Sequence, residues 1–248
     1  MSLCRLCLTE QNLIRAHVIP AAFFCVQRVN GEAPPMLLTN TRGAYTKKAP
    51  IGVYDEGILC SACENKFQKL DDYGIKVLLK RFDDFFHPIQ QGGQIVEYES
   101  SGIDQLLLLR FFVSVLWRAS VSTQSFYKRV ALGPYDADAA IAVNSPHLPV
   151  PAAFAAVLSR WRTTDENDGA ADGMLDPIRE KLVGVNTYRF YFGRIVARLK
   201  ASNQPFPAQL SCVELGSDPM LRIVTRDFGE SKDLATMVSV VTTVDSRR

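Results

Sequence analysis

The sequence predicts an α+β protein with a zinc-bound module at its N-terminus, a helical middle and a C-terminal antiparallel sheet. Two cysteine pairs in the first third indicate the zinc module. Apolar residues at helical spacing dominate the middle of the chain, and alternating apolar residues return in the last quarter. With 248 residues, 47% of them hydrophobic, the chain is long enough to bury a substantial core.

The cysteine pairs are Cys4-Arg5-Leu6-Cys7 and Cys60-Ser61-Ala62-Cys63. A C-x-x-C turn lets both sulfurs of a pair reach one ion at about 2.3 Å, in the tetrahedral arrangement that zinc prefers. The 52 residues between the pairs are more than a compact zinc ribbon contains. Ordinary buried cysteines and two redox dithiols are the alternatives. We predict one structural zinc ion held by Cys4, Cys7, Cys60 and Cys63.

The remaining cysteines, Cys25 and Cys212, have apolar neighbours, which predicts buried and inert thiols. Paired cysteines of this kind fit metal binding in a reducing compartment better than a disulfide framework. The sequence begins Met1-Ser2-Leu3-Cys4, without the basic and apolar regions of a signal peptide, so we expect a cytoplasmic protein.

The first 90 residues contain three predicted elements around these cysteines. Residues 13–19 form a short predicted strand that carries His17 and ends at Pro20, and residues 21–29 form a helix. A longer helix follows Cys63, because apolar residues from Phe67 to Phe82 recur mostly at spacings of three and four. Glu64 falls in its first turn, where a carboxylate also interacts favourably with the helix dipole.

A polar, glycine-containing turn near residue 90 predicts a boundary between a module of residues 1–90 and an α+β domain of residues 91–248. The predicted helices lie within about 103–182, at residues 103–121, 134–143, 151–161 and 176–182. The predicted antiparallel sheet lies within about 186–245, with strands in residues 187–199, 210–215, 220–224 and 237–244. Arg110 and Arg118 leave residues 103–121 too short an uncharged stretch for a bilayer, so we expect a core helix and no membrane partner.

The N-terminal motifs resemble the HNH endonuclease family, whose zinc-supported members have a ββα-metal active site. The matching segments are Cys4-x-x-Cys7, His17-Val18-Ile19-Pro20 and Leu59-Cys60-Ser61-Ala62-Cys63-Glu64-Asn65-Lys66, and they cover residues 1–80 only. The resemblance implies that His17 is the general base that activates a water against a phosphodiester, with a divalent ion stabilising the developing charge. It also implies a nucleic-acid substrate, with DNA as the expected one.

The chain departs from the family pattern at three places. Ala16 stands where an acidic metal ligand commonly precedes the histidine, Glu64 stands where a histidine commonly follows the last cysteine, and Asp55 is the nearest counterpart of a middle asparagine. Carboxylate oxygens suit Mg²⁺ or Mn²⁺, so Asp55 and Glu64 are the candidate ligands of a catalytic ion. The site is therefore either a variant with a rearranged metal shell or a nuclease scaffold without its chemistry.

Charge gives little support for a nucleic-acid partner, because the formal net charge is only +2. The candidate phosphate contacts are Arg42, Lys47 and Lys48, in an irregular segment that is equally explained as a solvated loop. Two functions therefore remain open. The chain is either an HNH-like, metal-dependent endonuclease or a catalytically silent, zinc-stabilised module that binds nucleic acid or protein.

Overall fold

The computed structural model describes residues 2–25, 36–38, 47–48, 52–166 and 168–245. The elements of its first part are β1 (Ser2–Leu3), β2 (Glu10–Gln11), β3 (Leu13–His17), α1 (Ala21–Cys25), β4 (Met36–Leu38), β5 (Lys47–Lys48), β6 (Tyr54–Cys60), α2 (Ser61–Ile75), α3 (Phe82–Phe85), β7 (His87–Gln91) and β8 (Gln94–Ser100). The second part contains α4 (Gln105–Val121), α5 (Asp136–Asn144), β9 (Phe154–Arg162), β10 (Met174–Leu175), β11 (Ile178–Leu182), β12 (Val185–Phe192), β13 (Ile195–Ala201), β14 (Leu221–Asp227) and α6 (Lys232–Asp245).

The N-terminal part contains a strand pair followed by a helix. β3 pairs antiparallel with β6, from Leu13 opposite Cys60 to His17 opposite Tyr54. β6 continues without a loop into α2, and a π-helical stretch, Lys76–Lys80, connects α2 to α3. The predicted strand at residues 13–19 and the helix after Cys63 are confirmed. The elements β3, β6 and α2 therefore form a ββα unit.

A seven-stranded sheet with the order β11-β12-β13-β9-β14-β8-β7 dominates the rest of the chain. All neighbouring strands in it are antiparallel except β9 and β14, which are parallel. The predicted α+β class with a mostly antiparallel sheet is therefore confirmed. The predicted boundary near residue 90 falls within the β7–β8 hairpin, and buried residues on both sides of it belong to one hydrophobic core.

Helix α4 connects the ββα unit to this sheet. The Asp104 side chain caps it by accepting a hydrogen bond from the Leu107 backbone N–H at 2.9 Å. On one side α4 packs against α2, and on another the rings of Phe111 and Phe112 lie against Phe192 of β12. The helix predicted at residues 103–121 is thus confirmed as a core helix. No helix in the described part of the chain is long and apolar enough to cross a membrane.

Two segments predicted as helices are strands. Residues 151–161 contain β9, which has six consecutive buried residues because helix α4 packs on one face of the sheet there and the segment with Phe206 and Val213 packs on the other. A strand buried on both faces does not alternate, and its alanines favoured the helical interpretation. Residues 176–182 contain β11, which turns into β12 through Val183 and Gly184, both at positive φ. That two-residue turn is typical of a hairpin.

Two predicted strands are also wrong. Residues 237–244 belong to the helix α6, although their β-branched residues favour a strand. The Ser231 hydroxyl caps this helix by accepting a hydrogen bond from the Leu234 backbone N–H at 3.0 Å. Residues 210–215 form turns, with one isolated bridge between Val157 and Glu214. The predicted strand at residues 220–224 is confirmed as β14.

We predict that Gly74→Ala destabilises the protein. A Cβ atom at Gly74 would lie 2.7 Å from the Phe111 ring, at the contact between α2 and α4. Helix propensity alone favours alanine by about 1 kcal/mol, whereas overpacking of a core costs about 1–3 kcal/mol. Chemical denaturation measures the difference. Gly102→Ala is the matched control, because no atom lies within 4 Å of its added Cβ; equal stabilities of the two variants would contradict the prediction.

Candidate metal centre

Four cysteines converge at one end of the β3–β6 pair. Cys4 and Cys7 lie in the turn between β1 and β2, Cys60 is the last residue of β6, and Cys63 is in the first turn of α2. Their sulfur atoms all lie within 4.8 Å of one another, and the Cys7 and Cys60 sulfurs are 4.0 Å apart. Tetrahedral zinc with bonds of about 2.3 Å requires sulfurs about 3.8 Å apart. The cluster therefore has the donor set and spacing to hold a metal ion.

Backbone hydrogen bonds shape the first cysteine turn. The Cys4 carbonyl accepts from the Leu8 backbone N–H at 2.9 Å, and the Arg5 backbone N–H donates to the Ile58 carbonyl at 2.8 Å. The Cys60 backbone N–H points at the Cys4 sulfur, 3.4 Å away. Leu8 has a φ of 56°, which closes the turn. These bonds attach the turn to β6 and bring the two pairs together.

The thiols differ in how readily they ionise. Hydrogen bonds from the hydroxyl and backbone of Thr9 lower the pKa of Cys7 to about 6. Burial opposes ionisation of Cys4, but backbone N–H groups outweigh it and lower the pKa of that thiol. Burial, together with the neighbouring thiols, raises the pKa of Cys63. Because metal binding needs thiolates, an ion at this cluster would have to displace the proton of Cys63, whose pKa burial raises.

His17 lies at the opposite end of the strand pair. Its side chain is half-buried, and its ring meets the Tyr54 ring edge-on, with centroids 6.1 Å apart. The Arg15 guanidinium lies 5.0 Å from the Tyr54 ring centroid and pairs with Glu56 at 2.8 Å. Arg15 and Glu56 are exposed, so one end of the β3–β6 pair presents a histidine, a tyrosine and an ion pair on the same surface.

Asp55 faces away from this surface. It pairs across the strands with Ala16, both are buried, and successive residues of a strand point to opposite faces. Its carboxylate accepts four hydrogen bonds, one from Gly57 and three from the residues that follow α4, Ser122 and Thr123. Although burial raises the pKa of Asp55, these donors outweigh it and lower the pKa. Asp55 thus ties the strand pair to α4, and the structure does not bring it together with His17.

Glu64 is half-buried in the first turn of α2, and its Oε2 atom is buried without a hydrogen-bond partner among the described residues. Burial raises its pKa, the charge of Arg118 lowers it, and the charge of Asp71 raises it further. An unpaired buried oxygen costs free energy, so dipole stabilisation alone does not account for the position of Glu64. This oxygen is available to a cation.

Arg118 connects the elements around Glu64, a role that was not predicted from the sequence. Its side chain is fully buried and donates to both oxygens of Asp71, at 2.6 and 2.9 Å. It also donates to the His17 carbonyl at 2.7 Å, and its guanidinium lies 4.7 Å from the Phe67 ring centroid. An arginine inside an apolar helix is the sequence signal that predicts such a buried pair. Arg118 therefore holds α4, α2 and the end of β3 together.

The predicted phosphate contacts lie largely outside what the structure describes. Arg42 is outside the described residues. Lys47 and Lys48 form the short strand β5, which pairs with β4, but their side chains are not described. The two other cysteines, Cys25 and Cys212, are exposed, whereas the sequence predicted buried thiols.

No family model matches the sequence, and neither a curated protein nor a solved structure matches it.

We predict that the purified protein contains one zinc ion and that Cys63→Ser removes it. Because metal binding is coupled to folding, the variant should lose on the order of 4 kcal/mol or more of unfolding free energy. Elemental analysis and chemical denaturation measure the two effects. Cys212→Ser, at an exposed cysteine outside the cluster, is the control and should retain both. A fully zinc-loaded Cys63→Ser protein would refute the four-cysteine site.

We also predict that Asp71→Asn destabilises the protein by about 3 kcal/mol, because it leaves the buried Arg118 without its charged partner. The neighbouring Asp72 is exposed, so Asp72→Asn should stay within about 0.5 kcal/mol of the native protein. Urea denaturation of the two variants provides the comparison. If both variants lose a similar free energy of unfolding, the Arg118–Asp71 ion pair does not hold α2 and α4 together as we infer.

Proposed function

We propose that the ββα unit is a metal-dependent endonuclease module that hydrolyses phosphodiester bonds in nucleic acid, with DNA as the expected substrate. The buried, unpaired Oε2 atom of Glu64 carries this proposal. A carboxylate oxygen without a donor is stabilised by a cation, and Mg²⁺ and Mn²⁺ prefer oxygen ligands. In this proposal Glu64 binds the catalytic ion and the four-cysteine cluster holds a structural zinc.

His17 is the proposed general base. Imidazole is the side chain that most often accepts a proton in such reactions, and His17 stands at the end of β3 on a partly exposed surface. Its backbone carbonyl is bonded to Arg118, whose charge also acts on Glu64. One buried guanidinium thus holds the backbone of His17 and acts electrostatically on Glu64. The divalent ion, when bound, would stabilise the negative charge that develops on the phosphate.

Arg15 is the described cation that best suits the substrate side of this site. Its guanidinium lies over Tyr54, whose ring contacts that of His17. A phosphate bound there would replace Glu56 as the partner of Arg15. Arg15 therefore joins the sequence candidates Arg42, Lys47 and Lys48 as a proposed phosphate contact, and the first of these lies outside the described residues.

The rival function is a zinc-stabilised module that binds nucleic acid or protein without catalysis. Asp55 favours it, because four hydrogen bonds account for that carboxylate as a structural tie. Ala16 favours it as well, since an alanine side chain has no donor atom for a metal. Both functions need reduced cysteines that can bind zinc. We therefore expect the protein in a reducing compartment such as the cytoplasm.

The test is cleavage of plasmid and single-stranded DNA by the zinc-loaded protein with added Mg²⁺ or Mn²⁺. His17→Ala should reduce the rate about a hundredfold or more, as expected for loss of a general base. Glu64→Gln should weaken the dependence on the divalent ion. His147→Ala is the matched control, because His147 is exposed in a loop far along the chain from the ββα unit, and it should cleave like the native protein.

Zinc content and thermal stability of each variant must match those of the native protein for this comparison to hold. Absence of cleavage with either metal, or equal cleavage by His17→Ala, would refute the nuclease. A mobility-shift assay with the same DNA then tests the rival function. Binding that is insensitive to Mg²⁺ and to His17→Ala would support the binding module.

A further inference from the structure

The sheet face opposite α4 carries a cluster of charged side chains beneath the start of α6. Arg189 of β12 and Arg198 of β13 are cross-strand neighbours, and Arg226 of β14 lies on the same face. Glu180 of β11 and Asp233 of α6 complete what we call the arginine cluster. Three guanidinium groups thus meet two carboxylates, so the cluster carries an excess positive charge.

Arg226 is the member that lacks a charged partner. Arg189 pairs with Asp233 at 2.8 Å, and Arg198 pairs with Glu180 at 2.8 Å. Among the described residues no carboxylate forms an ion pair with Arg226, and its guanidinium lies 5.0 Å from the Trp161 ring centroid. Burial lowers the pKa of Arg226, and the nearby charge of Arg198 lowers it further. The carboxylates of Asp233 and Glu180 raise the pKa of Arg226 in part, but neither forms an ion pair with it.

Hydrogen-bond donors without acceptors surround this guanidinium. Three donor atoms are buried and have no hydrogen-bond partner among the described residues: Arg226 Nη1, Trp161 Nε1 and Ser159 Oγ. Trp161 is 3% exposed and Ser159 is 2% exposed. The buried Tyr191 hydroxyl lies near the Asp233 carboxylate, and burial together with this carboxylate raises its pKa.

These atoms occupy adjacent strands of one sheet face. Tyr191, Val196, Ser159 and Val224 follow one another across β12, β13, β9 and β14, and Trp161 pairs with Arg226 in the next row. Ser159 and Trp161 therefore lie on the strand next to Arg226, whereas Tyr191 lies two strands beyond them. Asp233 at the start of α6 is buried and pairs with Arg189, so the helix begins over this face of the sheet.

We propose that the arginine cluster binds a small oxyanion, a phosphate or carboxylate group, beside Arg226 and beneath α6. Such a group supplies a negative charge for Arg226 and several acceptor oxygens for donors that otherwise have none. Buried polar groups in folded proteins nearly always have a partner, yet Arg226 Nη1, Trp161 Nε1 and Ser159 Oγ have none among the described residues. This site is separate from the ββα unit and independent of its proposed chemistry.

The test is thermal unfolding of the full-length, zinc-loaded protein with increasing inorganic phosphate at constant ionic strength. A ligand that binds only the folded state raises the midpoint in a concentration-dependent way. We expect Arg226→Met to weaken phosphate binding roughly tenfold or more, because it removes a charged hydrogen bond. Arg222→Met is the matched control: Arg222 lies on the same strand but is paired with Glu99 at 3.0 Å, and its loss should leave phosphate binding unchanged.

Tryptophan fluorescence gives a second, local measurement. The chain has two tryptophans, and a bound anion beside Arg226 should change the emission of Trp161. The change should disappear in Trp161→Phe, and it should be absent in Arg226→Met if that variant folds. This measurement keeps the proposal testable if Arg226→Met does not fold.

Acetate and adenosine monophosphate, tested in parallel, identify the source of the oxyanion. A response to phosphate alone indicates a free phosphate, a response to acetate indicates a carboxylate, and a response only to the nucleotide indicates a phosphate ester. Absence of any saturable response, or a response that is equal in Arg226→Met, overturns the proposal. The DNA-cleavage assay with His17→Ala is unaffected by either result.

Discussion

The buried guanidinium of Arg118 is the constraint on which the arrangement of the candidate site depends. Arg118 lies in an almost wholly apolar helix and is buried from solvent. All of its hydrogen-bond donors therefore need acceptors inside the protein. The acceptors come from three elements: Asp71 on α2, Ser114 on α4 and the His17 carbonyl at the end of β3. The four cysteines lie at one end of the β3–β6 pair, and Arg118 holds the other end. Between these two attachments the ββα unit has little freedom to move relative to the sheet.

Some features of the fold could be predicted from local patterns because their physical cause is local. The C-x-x-C spacing specifies a four-sulfur cluster wherever the chain brings the pairs together, and the apolar residues of α2 and α4 recur at helical spacing. The failures share a different cause. The two faces of β9 are buried by elements far away in the sequence, and α6 is a helix despite its β-branched residues. In both segments tertiary contacts outweigh intrinsic preference, and a single sequence does not display those contacts.

The candidate site shows the same division. His17, Glu64 and Asp55 were all proposed from the motifs that resemble the HNH family, and the sequence does not show the strand register that separates Asp55 from His17. The pairing of Ala16 with Asp55 decides that question, since it turns the carboxylate toward Ser122 and Thr123. Arg15 and Tyr54 were not predicted as site residues because neither belongs to a sequence motif. The same is true of Arg226 and Trp161, which are neighbours only because β14 runs parallel to β9.

That strand order also bears on how the chain folds during synthesis. β8 ends at residue 100, but its partner β14 does not begin until residue 221, so the β7–β8 hairpin has an unpaired edge until most of the chain has left the ribosome. The cysteine cluster needs only the first 63 residues and can form long before. Non-local pairing is slow and exposes strand edges to association with other chains. Expression at lower temperature, or with chaperones that shield nascent strands, should therefore increase the fraction of chains with a correctly formed sheet. It should have less effect on the fraction of chains that bind metal.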